Sequence, residues 1–217
     1  MPVQGDPGGL LSLGAVFTLF FVTLGPLKVV GPFAAQTREF DRATTRRIAV
    51  RAFVLAVVAV LAGGFGGRFL MQNWRISVPA MMLSGGLIFL LVGLQVVLEQ
   101  YRPAPAPPPL PGDAMAAAMR VTFPTLVTPY GIAALIVMLA NTQDSQRAVE
   151  IVAILLGVMV LNLLAMLFAH RIVGGIRQVA LQILGAVLGV LQVALAAELI
   201  LRALQDLGAH LGPTAGG

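Results

Sequence analysis

Two stretches decide the fold: Thr23-Leu24-Gly25-Pro26-Leu27-Lys28-Val29-Val30-Gly31-Pro32, and Pro124-Thr125-Leu126-Val127-Thr128-Pro129-Tyr130-Gly131. The first lies within an apolar run from Leu10 to Ala35, the second within one from Val121 to Ala140. Each run is long enough to cross a hydrocarbon core of about 30 Å, which takes roughly 20 apolar residues as a helix. Yet each carries helix breakers near its middle. Proline has no amide donor and frees a backbone carbonyl. An unpaired carbonyl in hydrocarbon costs several kcal/mol, so a break persists only where protein, water or a ligand satisfies it. Two broken spans predict a shared polar cavity near the membrane midplane.

Working outward, four further runs qualify as spans: Ile48 to Met71, Ile76 to Leu98, Ile151 to Ala169 and Val179 to Leu201. The composition agrees: of 217 residues 58% are hydrophobic and only 11% charged, against about one quarter charged in a soluble domain. The expected fold is an all-α integral membrane protein with six transmembrane helices. Three spans precede and three follow the segment 99–118, whose Arg-Pro-Ala-Pro-Ala-Pro-Pro-Pro-Leu-Pro-Gly run predicts an extended, non-helical linker. The chain thus divides into an N-terminal three-helix repeat (1–98), a Pro-rich cytoplasmic linker (99–118), and a C-terminal three-helix repeat (119–217) ending in a flexible Gly-rich tail from Leu207. A three-span unit ends on the side opposite its start, so two joined copies have inverted topology. The broken first helices correspond, and so do Leu83-Ser84-Gly85-Gly86 and Leu184-Gly185-Ala186, followed by Gln95 and Gln192 respectively.

The arginines set the orientation. One side of the six spans would carry Arg38, Arg42, Arg46, Arg47, Arg51, Arg102, Arg120, Arg171 and Arg177, and the other only Arg68, Arg75, Arg147 and Arg202. The positive-inside rule places the first group in the cytoplasm and both termini outside. The net charge of +5 therefore reads as topology and not as a nucleic-acid surface. Trp74 and Tyr101, at the two ends of the third span, suit the interfaces. The run after residue 9 is too long for a signal peptide and reads as a retained span. With no cysteine and two lone histidines, the sequence implies no metal site and no cofactor. It has no phosphate-binding loop, serine elbow or metalloprotease pair, and an enzyme is not expected.

Candidate binding residues follow from the breaks. Gly25, Pro26, Thr125, Thr128, Pro129 and Gly131 would form a site in which half-helix N-termini hold a carboxylate and freed carbonyls hold an ammonium or cation. Lys28 is the only charge well inside a span, and such a charge is a functional hypothesis by default. It would attract a carboxylate or a coupling ion; the plainer reading has it snorkel to a vestibule. Thr18, Thr23, Thr122, Asn162, Gln182 and Gln192 read as ties between helices, and Gly63-Gly64, Gly66-Gly67 and Gly85-Gly86 as points of close helix approach.

These residues resemble the MarC family of bacterial inner-membrane proteins, also called the neutral amino acid transporter (NAAT) family. The resemblance rests on the broken span at Gly25-Pro26, the loop Asp41 to Ala52, Ile76-Ser77-Val78-Pro79 leading into Ser84-Gly85-Gly86-Leu87, Pro124 through Ile132, and the Leu184-Gly185 region. It spans about residues 12 to 204. It implies a multi-pass protein of the bacterial inner membrane with both termini outside the cytoplasm, associated with export of small neutral amino acids such as threonine, homoserine and alanine. This chain departs from the family pattern with Gly25 for Asp or Asn, Lys28-Val29 for Gly-Asn, Thr128-Pro129-Tyr130 for Gly-Pro-Gly, and Met82 and Gln182 for arginines.

The expected function is a secondary transporter exporting small neutral amino acids or related metabolites by alternating access. Its partners are the lipid bilayer and a small-molecule substrate, with no nucleic acid and homo-oligomerisation left open. The alternative is a non-transporting membrane scaffold acting through the Pro-rich linker, and a third reading is a channel-like pore.

Overall fold

The computed structural model describes residues 12–99, 113–140, 142, 144–175 and 178–211. Among these the chain is helical throughout, with no strand. The helices are α1 (Leu13–Leu24), α2 (Leu27–Gln36), α3 (Arg42–Asn73), α4 (Val78–Glu99), α5 (Ala114–Arg120), α6 (Pro129–Ala140), α7 (Ser145–Leu167), α8 (Ala169–Gly175) and α9 (Gln178–Leu211). A π-type turn, Val121–Leu126, joins α5 to the second break. Among the described residues four segments are long and apolar enough to cross a membrane: Val16–Gln36, Arg42–Asn73, Val78–Gln95 and Ser145–Leu167.

Aspartates start three of the helices. Asp41 accepts from the Ala43 and Thr44 amides at 3.0 and 3.3 Å, Asp113 from Ala116 at 2.9 Å, and Asp144 from Gln146 at 3.0 Å. Each satisfies donors that have no partner inside the helix. The far end of α3 closes by a bond from the Ile76 amide to the Met71 carbonyl (2.9 Å), with Arg75 in the left-handed region at φ 55°.

Two parts of the sequence expectation need correction. Residues 114–118, assigned to a non-helical linker, form α5, because Asp113 caps an alanine-rich run beyond the last proline. Residues 207–211, assigned to a loose tail, continue α9 as its last turn and a half. The proline run itself, Tyr101, Arg102, Arg177 and residues 1–11 lie outside the described residues.

The interior is built from small residues on α3. Ala49, Ala52, Ala56 and Val60 are fully buried, while Val50, Val54, Val58, Phe65 and Phe69 on its other faces are exposed. An apolar exterior suits contact with lipid, and inside a bilayer close backbone approach replaces the hydrophobic effect as the cause of packing. Gly63, Gly64 and Gly67 of α3 lie against Ile132, Leu135 and Ile136 of α6. On α4, Gly86 meets Ala196 and Ile200, and Gly93 meets Gln192 and Val193 of α9. The packing is crosswise: α3 covers α5, the π-type turn and α6, α7 covers α1 and α2, and α4 pairs with α9.

Candidate functional site

The first break follows from Gly25-Pro26. A Cβ at Gly25 would overlap the Phe21 carbonyl, so this turn admits glycine alone. Pro26 (φ −67°, ψ −24°) then starts α2, its carbonyl accepting from the Val29 and Val30 amides at 3.0 and 3.2 Å. The Leu24 carbonyl is released from the α1 ladder and takes a bond from Asn162 Nδ2 on α7, at 2.5 Å. Asn162 is buried, and its Oδ1 has no partner. The break thus leaves the Leu24 carbonyl to a side chain of another helix.

The second break has two proline causes. Phe123, just before Pro124, is extended (φ −116°, ψ 123°), as a residue preceding proline tends to be. Val127 is also extended (φ −100°, ψ 111°), and α6 starts afresh at Pro129. The Thr128 hydroxyl caps α6, accepting from the Gly131 amide at 3.2 Å.

The two breaks touch. The Leu24 side chain occupies the space a Cβ at Gly131 would need. Beside this contact, Lys28 Nζ donates to the Tyr130 hydroxyl at 3.0 Å and to Gln192 Oε1 at 2.7 Å. It lies 4.9 Å from the Tyr130 ring centre and 5.8 Å from that of Phe89, within reach for cation–π attraction. Gln192 Nε2 in turn donates to the Phe89 carbonyl at 3.4 Å. One ammonium therefore gathers α2, α6, α9 and the ring face of α4.

The hydrogen-bonding partners of this ammonium are neutral. The ion pairs among the described residues are Arg147–Glu150 and Arg202–Glu198, and Lys28 is in neither. Lys28 and Tyr130 each stand in the first turn of a half-helix, where unpaired amides add positive potential. The site is thus electropositive and suited to an anion. Next to it, Thr23, Gly85, Gly86, Phe89 and Tyr130 border a crevice of about 20 Å³, room for little more than one water molecule.

Of the residues expected in the site, Gly25 and Pro26 form the first break, Gly131 and Thr128 lie where the second break meets Leu24, and Lys28 sits beside that contact. Thr125 is half-buried on the π-type turn and Pro129 is exposed, and neither is a hydrogen-bonding partner of Lys28. Tyr130 and Gln192 are its principal polar members, and Asn162 holds the freed carbonyl. The last two carried a signal in the sequence, as uncharged polar groups at membrane depth, but one read as a tie between helices. Gln95, which the sequence pattern sets in correspondence with Gln192, is exposed.

Spanning helices, a lipid-facing apolar exterior and a polar cluster between two broken helices define a multi-pass integral membrane protein. Residues 10–207 match the family model described as MarC family integral membrane protein, and the chain belongs to that family. It is 25% identical over 194 residues to the UPF0056 membrane protein MJ1677 of Methanocaldococcus jannaschii, covering 87% of this chain and 94% of that one. Over 96 residues it is 22% identical to the UPF0056 inner membrane protein MarC of Escherichia coli K12, covering 44% of this chain and 43% of the relative. The same figures hold for the protein of that name in Shigella flexneri. No solved structure matches the chain.

Proposed function

We propose that the protein is a secondary carrier for small neutral amino acids or related metabolites, moving them by alternating access between two inverted three-span halves. In this reading α5, the π-type turn and α6 form one broken span and α9 another, giving six with both termini outside the cytoplasm. The crosswise packing supports it, since each half's second helix, α3 or α7, covers the broken first helix of the other half. The inner-membrane location rests on the printed name of the Escherichia coli relative.

The observation that carries the proposal is the Lys28 ammonium between two half-helix starts, with only Tyr130 and Gln192 as hydrogen-bonding partners among the described residues. A substrate carboxylate supplies the missing counter-charge by displacing the Gln192 oxygen. Its ammonium needs acceptors, and in this reading the Leu24 carbonyl, now bonded to Asn162, becomes one when the halves part. Because the adjoining crevice holds about one water, the halves must part to admit an amino acid. Carriage, not bond chemistry, is what such a site performs.

The test is counterflow. Proteoliposomes loaded with one unlabelled amino acid are given trace labelled threonine, alanine or homoserine, with protein-free vesicles as control. Competable accumulation is expected, and Lys28→Met should weaken substrate affinity roughly 10- to 150-fold, the loss of a charge-assisted hydrogen bond. No counterflow with any amino acid, or a Lys28→Met variant with the wild-type KM, overturns the assignment.

A further inference from the structure

A second cleft, of about 650 Å³, lies where α2 ends, α3 begins and α7 gives way to α8. Its size falls within the roughly 300–1,000 Å³ of ligand pockets. Four guanidinium groups line it, those of Arg38, Arg42, Arg46 and Arg171. None is in an ion pair among the described residues, whose two pairs lie elsewhere. The carboxylates nearest in sequence are Glu39, which is exposed and in no ion pair among the described residues, and Asp41, which is committed to the first amides of α3.

A second observation points into the same cleft. Thr45 also lines it, is 8% exposed, and keeps its buried hydroxyl without any hydrogen-bonding partner. An unsatisfied buried hydroxyl among four unpaired arginines is an arrangement for phosphate oxygens, which accept from both groups. His170, on the rim, instead meets the Thr37 hydroxyl at 3.0 Å.

The walls show which phosphate. Phe40, Leu167 and Phe168 complete the cleft, and Phe168 remains 48% exposed. The cleft opens at the first turns of α3, a helix long and apolar enough to cross a membrane; with α3 as a span, its arginines would lie at headgroup level and its apolar wall would face acyl chains. The cleft at the other end of the molecule offers a contrast. Its one arginine, Arg68, already donates to the Thr142 carbonyl at 3.3 Å, and Asp144 lines the same space.

We propose that the Arg38, Arg42, Arg46, Arg171 cleft is a binding site for the phosphate headgroup of an anionic phospholipid, with Thr45 as an additional donor and the Phe40, Leu167, Phe168 wall against the lipid's acyl chains. This site is separate from the Lys28 cluster and does not depend on transport.

The test uses the full chain purified in neutral detergent, with melting temperature and native mass spectrometry followed during titration with phosphatidylglycerol, phosphatidylcholine or inorganic phosphate. Phosphatidylglycerol should bind and stabilise, and the other two should not. The variant Arg38→Gln, Arg171→Gln should bind phosphatidylglycerol at least about tenfold more weakly than the charge-matched variant Arg47→Gln, Arg51→Gln, which alters exposed arginines of the same region outside the cleft. If the first variant fails to fold, Thr45→Val supplies the same comparison with no change of charge. Equal weakening in both arginine variants would show a diffuse surface field and overturn the site. Stabilisation by inorganic phosphate to the same extent would overturn the lipid assignment in favour of a soluble phosphate ligand.

Discussion

Gln192→Glu is the sharpest probe of the lysine cluster. The change is isosteric and puts a carboxylate where Gln192 Oε1 now lies, 2.7 Å from Lys28 Nζ. At an effective dielectric constant of about 20, two unit charges at that distance attract by roughly 6 kcal/mol. Most of this is offset by the cost of burying a second charge. A surplus of about 1.5–3 kcal/mol, typical of a charge-assisted hydrogen bond, remains to hold Lys28. An incoming substrate carboxylate must overcome that surplus, so KM in the counterflow assay should rise roughly 10- to 150-fold. Stability should not fall, and the melting temperature in detergent should equal or exceed that of the wild type. This pairing of lost affinity with kept stability separates a binding lysine from a structural one. If Gln192→Glu folds well and retains the wild-type KM, the premise that Lys28 awaits a substrate carboxylate is refuted.

Three further outcomes follow from the packing and the caps. Asn162→Leu removes the donor to the Leu24 carbonyl and should cost about 1–2 kcal/mol, seen as a lower melting temperature; an unchanged value would mean that water satisfies this carbonyl. Gly64→Ala drives a methyl group into Leu135 and should destabilise by about 1–3 kcal/mol, with Leu135→Val in the same chain recovering part of the loss; Gly66→Ala, which meets open space, should not destabilise. Hydrogen bonds from the Thr44 hydroxyl and amide hold the Asp41 carboxyl below its ordinary range. Its contribution to the start of α3 is therefore complete above the ordinary carboxylate pKa and lost as pH falls through the depressed value, so hydrogen exchange at Ala43 and Thr44 should accelerate there and Asn in place of Asp41 should abolish that step.

The broken spans were legible because proline chemistry is local: Gly25-Pro26, Pro124 and Pro129 each dictate a backbone event within a residue or two. The glycines of α3 and α4 were legible for the same reason, since a missing Cβ in an apolar helix has few uses besides close approach. Helix α5 was legible too, as an aspartate followed by an alanine-rich run, but the eleven proline-rich residues 102–112 beside it masked the signal. The partners of Lys28 lay beyond local reasoning. Tyr130 and Gln192 stand 102 and 164 residues away, and nothing in their own neighbourhoods marks them as facing a lysine. The repeat was a poor guide here, because Gln95 and Gln192 share a sequence context while one is exposed and the other buried.

Along α3, Arg51 and Arg68 mark two depths. At 1.5 Å per residue their Cα atoms are about 26 Å apart along the helix axis, several ångströms less than an average hydrocarbon core. Arg68 is tied to the Thr142 carbonyl and cannot follow a thicker membrane outward, which leaves Arg51 and the surrounding lipid to absorb the mismatch. If α3 crosses the bilayer between these two guanidinium groups, lipids with short acyl chains should suit the protein better than long ones.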